Sequence, residues 1–111
     1  MVLEESPDLD RVFHALSDPT RRAMLRSLAS GERNIGELAQ PFDMSFAAAS
    51  KHVRVLESAG LIRRRVQGRS HVCAIEAGPL GVADEWLKTY EMFWSRSLDA
   101  LEAALKTDKS S

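Results

Sequence analysis

Residues 45–76 read SFAAASKHVRVLESAGLIRRRVQGRSHVCAIE and change character at their middle. In the first half, Ala49, Val53, Leu56 and Ala59 recur at helical spacing and form one apolar stripe. This predicts a helix from Phe46 to about Ala59. Ser45 is a natural N-cap, since its hydroxyl accepts from an amide that the helix leaves unpaired. Gly60 ends the helix, because glycine adopts the left-handed conformation without strain. In the second half, LIRRRVQ and SHVCAIE are short runs rich in β-branched residues, separated by Gly68 and polar neighbours. They predict a β-hairpin. Ile62, Arg64 and Val66 alternate with Arg63, Arg65 and Gln67, so one set faces the domain and the other faces solvent. Three consecutive arginines cannot all be buried, which predicts an exposed tip.

The flanking segments extend this pattern. A first helix is expected from about Asp8 to Leu16, with Leu9, Val12, Phe13 and Leu16 on one face. In SDPTRR, Asp18 can cap a second helix, and Pro19 suits its first position because the missing N–H would be unpaired there. That helix runs to about Ala29, with Ala23, Met24, Leu25 and Leu28 inward, and stops before Gly31. NIGEL starts a short third helix. Asn34 caps it, with Glu37 at capping-box spacing, although Ser or Thr is the usual first residue. Pro41 ends it, and FDMS is a turn in which Asp43 tolerates left-handed backbone. After the hairpin, one long helix is expected over residues 79–105, with Trp86, Leu87, Tyr90, Phe93, Trp94, Leu98, Leu101 and Leu105 near one side. Four of the seven aromatic residues fall within residues 86–94, a stripe wider than one small domain needs. Residues 106–111, KTDKSS, are expected to fray.

Length and charge limit the function. The chain has 111 residues, which suits one domain and argues against a multidomain enzyme. Its formal charge of −1 excludes a globally basic coat protein, but that figure is an average. Residues 1–20 carry −4, residues 21–43 carry +1, residues 44–75 carry +5 and residues 76–111 carry −3. A contiguous basic third is a candidate anion-binding surface. One cysteine, Cys73, cannot close an intramolecular disulfide and fits a reducing compartment. The acidic start lacks the apolar core of a signal peptide, and no run reaches the ~18 apolar residues of a membrane span. A cytoplasmic protein is expected.

Short helix, turn, capped basic helix, basic hairpin is the order of a winged helix-turn-helix. The expected fold is therefore mainly α with a small hairpin wing, α-α-α-α-β-β-α, as one domain over 1–111. Residues 35–59 form the helix-turn-helix and residues 62–76 the wing. An α-helix fits the major groove of duplex DNA, and its N-terminal residues reach base edges. On the fourth helix the candidate contacts are Ser45, Phe46, Ala47, Ala48, Ser50, Lys51, His52 and Arg54. Ala47 and Ala48 allow close approach and can touch thymine methyls; Lys51 and Arg54 can reach guanines or phosphates; His52 can reach a phosphate. On the wing the candidates are Arg64, Arg65, Gln67, Arg69 and Ser70, with His71 near phosphate. No Ser/His/Asp set, phosphate-binding glycine loop or paired-carboxylate site is identifiable, so an enzyme is not expected. The alternative from another class is a winged-helix protein-interaction module. It would carry a neutral or acidic recognition helix and wing, the opposite of what stands here.

VFHALSDPTRRAMLRSL, GELAQPFDMSFAAASKHVRVLESAGLI and the Arg-rich wing together resemble the ArsR/SmtB family of winged-helix repressors, over about residues 12–76. The resemblance implies a homodimer built from the first and last helices, residues 8–16 and 79–105. Leu9, Val12, Phe13 and Leu16 would meet Trp86, Leu87, Tyr90, Phe93, Trp94, Leu98 and Leu101 at its interface. It also implies a pseudo-palindromic operator, and repression of the protein's own or an adjacent operon until a signal releases the DNA. In many members, thiolates in a Cys-Val-Cys-Asp-Leu pattern hold metal on the helix before the recognition helix. Here the matching segment is NIGEL, with Asn34 and Gly36 in place of the thiolates. Others bind zinc through Asp, His and Glu on the last helix, which here holds Asp84, Glu85, Glu91 and Glu102 but no histidine. Zinc and softer metals favour imidazole and thiolate, and His14, His52 and His71 fall on three elements. No metal and no cofactor is expected. PFDMS and WLKTYEMFW are similar to a metal-independent branch. Cys73 reads as a small buried hydrophobe, since a redox sensor needs a low-pKa thiolate and usually a resolving partner. The remaining sensory alternatives are Cys73 and a small apolar ligand in the aromatic seam.

Overall fold

The computed structural model describes residues 7–110. The elements are α1 (Pro7–Leu16), α2 (Pro19–Leu28), β1 (Arg33–Asn34), α3 (Ile35–Ala39), α4 (Phe46–Ser58), β2 (Ile62–Gln67), β3 (Ser70–Ile75), α5 (Gly78–Lys88) and α6 (Glu91–Ser110). The strands form an antiparallel sheet in the order β1-β3-β2.

Local chemistry sets the helix starts. The Asp18 carboxylate accepts the amides of Thr20 at 2.7 Å and Arg21 at 3.2 Å, and Pro19 follows at the start of α2. At α3 the capping box is complete: the Glu37 amide donates to the Asn34 side chain, and the Asn34 amide donates to the Glu37 carboxylate, both at 2.8 Å. The Ser45 hydroxyl accepts the Ala48 amide at 3.1 Å and opens α4. Gly60, at φ +75°, turns the chain so that the Leu61 amide donates back to the Leu56 carbonyl at 3.0 Å. Gln67 pairs with Ser70, leaving Gly68 (φ +64°) and Arg69 as a two-residue hairpin turn.

The core lies where α1, α2, α3 and α4 meet the base of the sheet. Val12, Met24, Leu28, Leu38, Val53, Leu56, Leu61 and Cys73 are all buried there. The inward stripe of α4, Ala49, Val53, Leu56 and the flanking Ala59, is as expected. At full burial, side chains of this size contribute about 1.5–3 kcal/mol each.

Four expectations need correction. The last helix is two helices. The Thr89 hydroxyl donates to the Trp86 carbonyl at 2.6 Å, and the Thr89 and Tyr90 amides make three-residue bonds to Trp86 and Leu87. A β-branched hydroxyl that competes for the helical carbonyls breaks the run without Pro or Gly. The tail is not frayed through Ser110: α6 continues, with Lys106 3.8 Å from Glu102 one turn earlier. Ser111 lies outside the described residues. A two-residue strand, β1, precedes α3 and adds a third strand to the wing, with Arg33 opposite Cys73 and Asn34 opposite Val72. Finally, Leu9 and Val12 are 8% and 1% exposed and belong to the chain's own core, because α1 packs on α4 and α5. They are not free to face a second copy.

Candidate nucleic-acid interface

Burying Ala49, Val53 and Leu56 forces the opposite face of α4 outward. Phe46, Ala47, Lys51 and Arg54 are exposed, and Ala48, Ser50 and His52 are half-buried. Phe46, Ser50 and Arg54 are four residues apart and form one row, with Ala47 and Lys51 beside it. Among the described residues, neither Lys51 nor Arg54 makes an ion pair. Their charges are free for an external anion. Ser45 uses its hydroxyl as the cap, and the helix presents the unpaired amides of its first turn beside it.

The wing differs. Arg64 is half-buried and donates to Glu57 of α4 at 2.8 Å. Arg65 holds the Glu32 carboxylate with two bonds, 2.7 and 2.9 Å, and also donates to Gln67 at 3.2 Å. This bidentate bond holds the Glu32 carboxyl below its ordinary range and raises Arg65 above its own. Arg63 pairs with Glu76. Of the expected wing contacts, Arg69 and Ser70 stand exposed at the turn, Arg69 without an ion pair among the described residues. Gln67 is exposed but engaged by Arg65. Arg64 and Arg65, expected as DNA contacts, are each engaged by an acid of the fold, Arg65 with its side chain still half-exposed.

His52 also has a partner within the fold. Its Nδ1 lies 3.2 Å from Nη1 of Arg21. Arginine has no acceptor, so the imidazole accepts at Nδ1, which leaves Nε2 to donate elsewhere. Arg21 is 8% exposed and was not foreseen. Its Nε donates to the Ala15 carbonyl at 2.8 Å and Nη2 to the His14 carbonyl at 3.0 Å, which pairs the last carbonyls of α1. Arg11 and His14 of α1 were missed as well: both line a shallow concavity with Arg54, and Arg11 adds a second cation to that side of α4. Arg11 was hidden in an acidic segment. Glu57 had a readable signal, since the strand alternation places Arg64 on the same side as buried Ile62, and Glu57 is the acid of that basic block. Glu32 had none, because Arg65 is distant in sequence; Arg21 bonds mainly near neighbours, but its burial follows from the packing of α1 on α2.

Cys73 is fully buried beneath the hairpin, and burial pushes its thiol up, with Arg64 opposing and Glu57 assisting. This disfavours the thiolate that redox chemistry needs. His14, His52 and His71 lie on α1, α4 and β3, and no group of three or more metal-ligating side chains is gathered among the described residues.

The expected dimer face is apolar and open on α5 and α6. Trp86, Leu87, Tyr90, Phe93, Trp94, Leu98 and Leu101 are all exposed, Phe93 at 71%. Phe13 of α1 joins them edge-on to Trp86 at 5.6 Å, and Trp86 packs on Tyr90 at 5.1 Å. Phe13 and Leu16 are half-buried.

Comparison with known proteins agrees with this geometry. A helix-turn-helix domain family matches residues 16–65. The chain is 40% identical over 90 residues to the HTH-type transcriptional regulator Rv2034 of Mycobacterium tuberculosis, covering 80% of each. It is 29% identical over 82 residues to the transcriptional repressor SdpR of Bacillus subtilis, covering 74% of this chain and 91% of the other. The crystal structure of an ArsR family transcriptional regulator superposes with a TM-score of 0.76 at 41% identity, covering 84% of this chain and 97% of that one. The protein therefore belongs to the ArsR/SmtB family of winged helix-turn-helix, DNA-binding transcriptional regulators.

Proposed function

We propose that the protein is a homodimeric repressor that binds a pseudo-palindromic operator in its own or an adjacent operon and is released by a non-metal signal. The observation that carries this is the outward row of α4, where Lys51 and Arg54 stand unpaired beside small residues, above an otherwise closed core. Free cations on a helix of this width suit the major groove, and Arg69 at the wing tip suits an adjacent phosphate. Pairing of copies is supported by the exposed aromatic stripe of α5 and α6, since a monomer rarely leaves so much contiguous apolar surface in water. Two-fold symmetry then supplies two reading helices for two half-sites. The Bacillus subtilis relative is named a repressor, which favours repression. A non-metal signal is favoured by Asn34 and Gly36 at the positions of the family's thiolates.

The test is footprinting of the DNA upstream of the protein's own gene, with sedimentation to establish the oligomeric state. The expected result is one protected palindrome bound by two copies. A folded protein that protects no sequence at low salt overturns the reading. A release assay with a metal panel and small organic ligands tests the signal: release by a metal at stoichiometric concentration overturns the non-metal assignment.

A further inference from the structure

We infer that Phe46 reads the C5-methyl groups of thymines in the operator and is a specificity-determining residue of the interface. This rests on the DNA-binding reading above. Phe46 is 59% exposed at the first turn of α4, so it contributes little to the core. Phenylalanine is also a weaker helix former than alanine or the long straight-chain residues, so local propensity does not call for it. Position and neighbours give it a use. It leads the row Phe46–Ser50–Arg54, which runs from the edge of the inward stripe of Ala49, Val53 and Leu56 out to the exposed face of α4. N-terminal residues of a recognition helix are the ones that reach base edges.

The chemistry around the ring selects a methyl over a phosphate. Phe46 borders a shallow groove with Phe42 and Met44, both half-buried, with Ala39, and with Asn34, Glu37 and Gln40 as its polar members. With a carboxylate and no cation in this lining, the groove disfavours a phosphate, and its apolar members suit an uncharged partner. Of the groups on the major-groove edge, the thymine methyl is the apolar one. Exposed Ala47 leaves room for the base to approach, and Lys51, one turn on, is free to engage the backbone or a neighbouring guanine. Phe46 thus adds a preference for thymine that the cations of this face cannot supply.

The experiment uses the full chain and its selected operator, as duplexes in which each half-site thymine is replaced singly by deoxyuridine. The replacement removes one methyl and keeps base pairing. At one or two thymines per half-site the wild-type protein should bind about four-fold more weakly, the effect of exposing one buried methyl. Phe46→Ala should bind the thymine operator more weakly and show less than two-fold uracil sensitivity. Lys51→Ala should bind more weakly yet keep the full sensitivity. Circular dichroism melts show that each variant folds. Specific binding by wild type with no uracil sensitivity anywhere overturns the assignment, as does a Phe46→Ala protein that keeps the four-fold effect. A folded wild type that selects no sequence from a random library overturns both this assignment and the DNA-binding reading.

Discussion

The recognition helix and the wing are both basic in sequence, yet they carry their charge in opposite ways. On α4, Lys51 and Arg54 stand exposed and unpaired among the described residues. On β2, three successive arginines are each held by an acid, Arg63 by Glu76, Arg64 by Glu57 and Arg65 by Glu32. Charge available to a ligand is therefore not the charge counted in a segment. It depends on which side chains the fold has already satisfied. The paired arginines tie the wing to α4 and to the loop before α3, while Lys51, Arg54 and Arg69 make no ion pair among the described residues.

This contrast can be broken at four levels. The largest effect comes from removing the floor that both regions share. Leu56→Ala empties a fully buried site under α4 and should destabilise the protein by about 2–5 kcal/mol, read as a lower urea midpoint at fixed protein concentration. Arg54→Ala should next weaken specific binding by about 1–3 kcal/mol if it reads a base, with little change on random DNA. Equal loss on both would make Arg54 a phosphate contact. Asp18→Ala removes a helix cap and should cost about 1 kcal/mol of stability, leaving half-site preference unchanged. Burial opposes the Asp18 charge, but the Arg21 and Thr20 amides, with the facing charges of His52 and Arg21, outweigh it and lower its pKa. Its stabilisation is therefore complete above the ordinary value of 3.8 and is lost as pH falls through the lower folded value. An acid titration of wild type against Asp18→Ala should converge at low pH. The smallest effect separates free from paired wing arginines. Arg69→Ala should reduce the slope of log affinity against log salt by about one, uniformly across sequences. Arg65→Ala should change it less, and Glu32→Gln, which frees Arg65, should steepen it.

The parts legible in sequence were those set by near neighbours. Asp18, the Asn34–Glu37 box, Ser45, Gly60 and Gly68 each act within a few residues, and each does what its type and spacing imply. The inward stripe of α4, and with it the outward reading face, followed from periodicity. What escaped depends on how the elements pack, or on a choice that local sequence leaves open. β1 is two residues long and exists because β3 pairs with it. Arg21 is buried because α1 ends beside it. Leu9 and Val12 carry the periodicity of an interface helix, but periodicity does not say which surface covers the stripe, and here the chain's own α4 and α5 do. The break at Thr89 comes from a hydroxyl that an unbroken helix also tolerates, so the long amphipathic pattern hid it.

Arg21 also sets the mechanics of the molecule. One guanidinium ties the end of α1 to His52 on the reading helix from within α2. Twisting α4 against α1 would strand a buried cation, which is costly in an apolar setting. The end of α1, α2 and α4 are therefore coupled through one side chain.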